Sequence, residues 1–344
     1  MNLTLSSHYE PQQQRRLLKD DQVRAISEFD ELFEFGEIVG RGQSSIVRAV
    51  RNRKTGQVFA CKFVDKYSVS TDRILDEIKV LMNVRHPNIV SLHTVYETER
   101  DLRLIVDYVP GGELFDRIIS KKCYSEREAC EVVASLLNAI SFLHERNIIH
   151  RDIKPENILL ASLNSDTDIK LSDFGLAKIF EDSAEINDNS MMLDSPPTSP
   201  RQQTRRQRAY TTLGTDFYIA PEILKGEGYG KPVDIWSIGV VSYILLCGFP
   251  PFTDPNGDVG GVYNRIREGR FDFPSPYWDG VSDMAKDFIK RLLTVDPDQR
   301  IPGHLALRHP WILNRAASLG DTPLSPHYAT MFRKFNSKRR PGYG

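Results

Sequence analysis

Residues 148–160 read IIHRDIKPENILL. Two short aliphatic runs of the kind that fold inward enclose His150, Arg151, Asp152, Lys154, Glu156 and Asn157. Carrying charge into an apolar interior without partners costs several kcal/mol, so such a cluster has to be holding something. Asp152 is placed to accept a hydroxyl proton, Lys154 to steady a transferring phosphate, and Asn157 to bind a metal ion. Read blandly, the same stretch is a helix-to-strand loop tied by a structural ion-pair network.

The neighbouring stretches decide between these readings. IKLSDFG, residues 169–175, sets a second carboxylate, Asp173, at the end of a candidate strand and before a glycine that permits a sharp turn. Carboxylate, amide and phosphate oxygens together suit Mg²⁺, which prefers hard oxygen ligands and keeps some of its waters. Upstream, GRGQSSIV at 40–47 places Gly40 and Gly42 in a strand-flanked turn where backbone N–H groups can approach phosphates, although alone it reads first as a plain hairpin turn. Lys62 in FACK follows on the next strand. Glu77 lies near the margin of the apolar face of an amphipathic helix carrying Ile74, Leu75, Ile78, Leu81 and Met82, from which it can reach Lys62. Each charge alone is an ordinary surface residue, but GxGxxS, Lys62, Glu77, HRDIKPEN, DFG and APE occur here in that order.

Composition excludes several other classes. The 344 residues carry 45 basic and 46 acidic side chains, a balance that argues against a general nucleic-acid or membrane-surface binder. Cys61, Cys123, Cys130 and Cys247 have no CxxC spacing, which fits a reducing compartment and a cytoplasmic protein. The N-terminus lacks the charged-then-apolar order of a secretory signal. IGVVSYILLCGF, the most apolar run, falls short of the roughly 20 residues of a membrane span.

Periodicity gives the organisation. Residues 1–33 are polar and weakly patterned, a mostly flexible tail with at most a short helix. SIVRAVR and QVFACKFV, joined by the turn NRKTG, read as a hairpin, and LRLIVDY as a further strand. After residue 110 the pattern is helical: Ser125 and Glu128 form a capping box ahead of an apolar face running from Val132 to Leu143. VDIWSIGVVSYILLCG, apolar all round, is a central helix, and MAKDFIKRLL and LALRHPWIL add further helical pattern.

On these motifs the chain resembles the eukaryotic protein kinases over residues 34–312. The resemblance implies an α+β, bilobal fold: a small antiparallel-sheet N-lobe with one key helix at about 34–109, and a larger, mainly helical C-lobe at about 110–312. It implies ATP and Mg²⁺ as cofactors and protein substrates. Gly40, Gly42, Val47, Ala60, Asp107 and Val109 would line the nucleotide, with Val106 as gatekeeper. Lys62 would contact the phosphates while paired with Glu77, Asp152 would be the catalytic base, Lys154 a phosphate contact, and Asn157 and Asp173 the metal ligands. Glu222 of APE would pair with Arg300, and Asp234 would brace the catalytic loop. GGELFDRI, DIKPENILL and GYGKPVDIWSIGVVSYILLCGFPPF are most similar to the calcium/calmodulin-dependent kinases. Lys154 after the aspartate is the Ser/Thr pattern, and Glu113 resembles the acidic residue that meets the ATP ribose and an arginine three residues before the acceptor. Ser45 replaces a third loop glycine, and a catalytically inactive, nucleotide-binding scaffold is the alternative reading.

Two segments lie beyond this frame. Residues 183–208 read as a polar, proline-broken insertion in the activation segment, unable to bury enough surface to order itself. Beyond it Thr211 stands where activation loops are phosphorylated, with Arg151 as the expected partner of the new charge and an upstream kinase as one source. RRQR within 205–208 leaves a nuclear location open. At the other end HYATMFRKFNSKRRPGYG, residues 327–344, resembles the start of an autoinhibitory and calmodulin-binding segment, its apolar anchors being Met331, Phe332 and Phe335.

Overall fold

The computed structural model describes residues 17–18, 23–41, 45–121, 124–180, 216–320, 324 and 327–339. The chain divides into two compact units, residues 1–82 with 91–108 and residues 83–90 with 109–344. In the smaller, helix α1 (Ile26–Leu32) leads into β1 (Phe33–Arg41), β2 (Ser45–Asn52) and β3 (Val58–Asp65), followed by helix α2 (Thr71–Asn83), β4 (Leu92–Glu97) and β5 (Asp101–Asp107). These strands form one antiparallel sheet in the order β1-β2-β3-β5-β4. The NRKTG turn closes because the Asn52 side chain accepts the N–H groups of Lys54 and Thr55, while Gly56 takes a φ of 72°.

Residues 1–33, polar and weakly patterned, are expected to form a tail with at most a short helix. Within it, α1 is the short helix, and its Phe29 is fully buried among Phe33, Val50, Cys61, Tyr96 and Ile105. The Tyr96 ring meets Phe29 edge-on at 5.3 Å, and the Arg103 guanidinium lies 4.7 Å from the Phe29 centroid. Burying such a ring is worth about 1.5–3 kcal/mol, enough to hold a seven-residue helix that could not persist alone. Further back, the N–H of Leu17 donates to Glu97, whose buried carboxylate also takes Lys66 Nζ at 2.8 Å.

The larger unit opens with 83–90, a segment counted with the N-lobe in the sequence but hydrogen-bonded through Asn88 and Val90 to Leu171 of the larger unit. Its helices begin with α3 (Leu114–Lys121) and α4 (Glu126–Glu145). Ser125 and Glu128 cap α4 reciprocally, as the SERE pattern predicts. Short strands β6 (Ile148–Ile149), β7 (Ile158–Leu160), β8 (Ile169–Leu171) and β9 (Lys178–Ile179) pair as β6 with β9 and β7 with β8. After α5 (Pro221–Lys225) comes α6 (Pro232–Cys247), buried at every position from Val233 to Cys247. An all-round apolar helix of this kind has to be central. It contacts α4 and α8 (Asp283–Leu292), which follows α7 (Val259–Glu268). LALRHPWIL, read as helical pattern, forms two short helices, α9 (Gly303–Ala306) and α10 (Pro310–Leu313), because Pro310 cannot continue a helix and instead opens the next.

The last helices among the described residues are α11 (Arg315–Ser318) and α12 (Tyr328–Arg339). The last is a docked helix. Phe332 is fully buried with its ring 4.7 Å from Phe115, Tyr328 is buried beside it, and Phe335 meets Phe217 at 6.0 Å. Pro341, expected to end it, lies outside the described residues.

Candidate active site

The candidate side chains fall into two groups, one in each unit. In the small unit, strand register does the positioning. Gly40 stands opposite Val47, Val47 opposite Lys62, and Ala60 opposite Val106. Residues directly opposite, and residues two apart on one strand, share a face, so Gly40, Val47, Ala60, Lys62 and Val106 all present to the same side of the sheet. Lys62 Nζ lies 2.6 Å from Glu77 Oε1, the side chains 16% and 8% exposed. Burial makes this pair directional, since neither charge has water enough to replace its partner. Asp107 ends β5 with its carboxylate turned to β4, where Oδ2 accepts the Ser91 N–H at 3.2 Å and Oδ1 lies 2.8 Å from His93 Nε2.

In the large unit, Val109 is half-buried in the loop leading to α3, and Glu113 stands directly before that helix, bridged through its backbone to Leu159. Gly111 and Gly112 make this approach feasible. A Cβ on Gly111 would collide with the Leu160 carbonyl, to which Gly111 donates its N–H, and Gly112 takes a φ of 72°.

The segment that opened the sequence reading forms the loop between β6 and β7. Asp152 is its hub: Lys154 Nζ lies 2.8 Å from Asp152 Oδ2, and Asn157 Nδ2 donates to the Asp152 carbonyl at 2.7 Å and to Oδ2 at 2.9 Å. Burial pulls the Lys154 pKa down, but the Asp152 carboxylate, with Glu156 and Asp173 behind it, holds it above the ordinary lysine value. Just before the hub, Arg151 takes the left-handed φ of 67°, a conformation costing a non-glycine residue about 1–3 kcal/mol. The loop is held there from below. Asp234, at the start of α6 and almost wholly buried, accepts the N–H of Arg151 at 2.8 Å and of His150 at 3.0 Å, and lies 2.9 Å from His144 Nε2. Burial opposes its charge, yet these hydrogen bonds and the nearby imidazoles keep the Asp234 carboxyl below the usual aspartate range. The Arg151 guanidinium donates to the Leu176 carbonyl and, at 2.7 Å, to the Tyr229 hydroxyl.

Asp173 is brought to the same loop by its neighbours. The N–H and hydroxyl of Ser172 donate to the Asn157 carbonyl at 2.8 and 3.1 Å, and the buried Phe174 ring lies 4.8 Å from His150, a histidine whose pKa burial pushes down. Asp173 itself is exposed with a φ of 59°. Among the described residues no three His, Cys, Asp or Glu side chains form an all-protein metal cage. The donor set nonetheless fits a hard divalent cation that keeps waters and phosphate oxygens: with the Asn157 amide nitrogen committed to Asp152, its oxygen remains as a ligand atom alongside Asp173. Elsewhere, Glu222 and Arg300 form a buried two-pronged ion pair at 2.8 and 2.9 Å, as the APE pattern predicts.

Residues 33–312 match the protein kinase domain family. The chain belongs to the protein kinase family. Its similar proteins include the human serine/threonine-protein kinase DCLK3, 42% identical over 81% of this chain and 40% of the relative, and human calcium/calmodulin-dependent protein kinase type IV, 40% identical over 92% and 60%. Myosin light chain kinase A of Dictyostelium discoideum is 39% identical over 91% of this chain and 99% of its own length. The chain thus spans less than half of the DCLK3 relative but nearly all of the Dictyostelium one. Kinase domains of this family use ATP with a divalent metal ion.

In this protein kinase domain, the residues drawn together are Lys62 with Glu77, and Asp152 with Lys154 and Asn157. Gly42 and Thr211, the insertion at 183–208, and Cys123 lie outside the described residues. His144 and Tyr229, which support Asp234 and Arg151, went unnoticed in the sequence, for each is a lone polar residue in a run that reads as helix or turn. Among the described residues no helix is long and apolar enough to cross a membrane.

Proposed function

We propose that this chain is a serine/threonine protein kinase that transfers the γ-phosphate of Mg·ATP to protein hydroxyls, favouring substrates with arginine three residues before the acceptor. The observation that carries the reading is the Asp152 hub, a carboxylate hydrogen-bonded by Lys154 and Asn157 on a strained loop pinned by Asp234. Catalysis of this kind is mostly positioning and electrostatics. Asp152 orients the acceptor hydroxyl and takes its proton; Lys154 offsets charge on the moving phosphoryl group; Lys62, kept straight by Glu77, holds the phosphates; Gly40, Gly42, Val47, Ala60, Asp107 and Val109 line the nucleotide. Bound Mg²⁺, held by Asn157 and Asp173, supplies neutralisation of phosphate charge. Glu113 receives the substrate arginine.

Regulation belongs to the same proposal. Thr211 is the activating phosphorylation site, reached by autophosphorylation or an upstream kinase, and α12 with its basic flank is a partial autoinhibitory and calmodulin-binding segment. Burial of Phe332 and Phe335 supports this, because a partner that grips those rings must first lift the helix away. The protein works in the cytoplasm and, through RRQR, in the nucleus.

The test incubates the purified full chain with Mg·ATP and two serine peptides, one with arginine three residues before the acceptor and one with alanine there, beside an Asp152→Asn variant. Transfer to the arginine peptide is expected, and the variant should lose about 10³-fold in kcat or more. Nucleotide binding without transfer by the wild type, also after treatment with an upstream kinase, would make the chain a scaffold.

A further inference from the structure

A further buried ion pair lies in the small unit. Glu97 Oε1 and Lys66 Nζ are 2.8 Å apart, with the side chains 6% and 5% exposed. Taking two charges out of water is offset only where the remaining lone pairs are hydrogen-bonded as well. For Glu97 the extra donors come from far back in the chain: the N–H of Leu17 donates to Oε1 at 2.8 Å and that of Leu18 to Oε2 at 3.4 Å. Leu18 is itself buried, and the N–H of Arg24 donates to the Val95 carbonyl at 3.0 Å, so the segment is fastened to β4 at two points. That strand is an edge of the sheet, where main-chain groups need a partner. Lys66 stands at a joint. It follows Asp65, the last residue of β3, its N–H donates to the Arg100 carbonyl at 3.0 Å, and the chain beyond it enters α2 at Thr71. β3 carries Lys62 and α2 carries Glu77, so the fixing of Lys66 governs how firmly the two are held together.

We infer that Glu97 is a positioning residue for the Lys62–Glu77 pair, and that the N-terminal segment completes it by donating the Leu17 and Leu18 amides. With these amides in place the Glu97 carboxylate is satisfied, and Lys66 is held by both its main chain and its side chain where β3 gives way to α2. With the amides withdrawn, water competes for the carboxylate and weakens the Lys66 pair, since a buried ion pair holds only while its other hydrogen bonds are made. The joint then loosens, and Glu77 spends less time on Lys62. Provided that Lys62 contacts the phosphates, as proposed above, the same looseness weakens nucleotide binding. The dependence is mutual: bound nucleotide, by ordering α2, tightens the N-terminal segment on Glu97. Because the attachment uses main-chain N–H groups, it tolerates a change of the Leu17 side chain but not the loss of its amide.

The test compares the full chain with Leu17→Pro, which removes the donated N–H, and with Leu17→Ala, which keeps it. Amide exchange without nucleotide reads α2 directly. In Leu17→Pro, residues 67–83 should exchange about tenfold faster, the worth of one hydrogen bond to a charged group, while the β2–β3 hairpin keeps its protection and Leu17→Ala matches the wild type. Mg·ATP affinity, measured by calorimetric titration, should fall about fivefold in Leu17→Pro with the number of sites unchanged, whereas a chain that merely unfolds loses sites at constant affinity. Unchanged exchange in Leu17→Pro, equal loss of protection across the whole small unit, the same effect in Leu17→Ala, or unchanged affinity overturns the inference. Absence of Mg·ATP binding by the wild type overturns the reading of Lys62 as well, so the two failures are told apart.

Discussion

Replacing Asp234 by asparagine keeps the shape of the side chain and removes the charge, which makes it the sharpest probe of how the catalytic loop is held. In the wild type, two carboxylate oxygens receive three donors, the N–H groups of His150 and Arg151 and the Nε2 of His144, in a site almost closed to water. Asparagine offers one acceptor oxygen and turns an NH₂ group toward the remaining donors. At least one donor loses its acceptor, and a buried donor left unsatisfied costs about 1–3 kcal/mol, more where an ionic partner is lost. Arg151 also loses its backbone tether while sitting at a φ that costs about 1–3 kcal/mol. The expected destabilisation is therefore about 2–6 kcal/mol, read by urea unfolding followed through tryptophan fluorescence, since Trp236, Trp278 and Trp311 are all buried in the large unit. Phosphate transfer, measured where the variant remains folded, should fall about 100-fold or more, with a much smaller change in KM for ATP. A loss below about 1 kcal/mol with kcat within about threefold of wild type would refute the argument that this carboxylate holds the loop.

Other outcomes follow from the same geometry. Glu222→Gln leaves Arg300 buried without its anionic partner and should cost about 3–5 kcal/mol in the same unfolding assay. Phe332→Ala empties the contact with Phe115, so amides of α12 should exchange with deuterium far faster while those of α6 keep their protection, measured by hydrogen-exchange mass spectrometry. Acid should weaken the fold in two stages. His150 is held neutral by burial, so the unfolded chain binds an extra proton once pH falls below the ordinary histidine value, and stability declines from there. Asp234 has a lowered pKa, so its contribution is complete above the ordinary aspartate value and is lost as pH drops through its folded one; Asp234→Asn should flatten this second stage in a pH series of unfolding curves.

Local rules carried the sequence reading a long way. The capping box before α4, the all-apolar α6 and the NRKTG hairpin are each set by neighbours in the chain, and each stands where the pattern places it. The Lys62–Glu77 pair was legible because helical phase limits where Glu77 can point. What escaped depends on distant partners. β4 is a short strand with little alternation, fixed by its pairing with β5. Phe29 looks like a stray aromatic in a polar tail until Tyr96 and Val50 are beside it. His144 and Tyr229 act across 90 and 78 residues of sequence, a separation at which periodicity says nothing. LALRHPWIL reads only as helical pattern, because the apolar spacing persists through the break at Pro310 and does not show where one helix ends and the next begins.

The position of Asp234 within α6 has a consequence for how the molecule is made. The loop around Asp152 leaves the ribosome more than 70 residues before the end of α6. Until α6 has been synthesised and packed, no carboxylate receives the His150 and Arg151 amides, and Asp152 has no fixed orientation. Because the anchoring residue lies on a helix apolar on every side, the loop and the core of the large unit mature in one event. A nascent or heat-damaged chain that still shows α6 to a chaperone is therefore one whose catalytic loop has lost its anchor, and the exposed apolar surface that marks it for refolding or destruction also marks it as inactive.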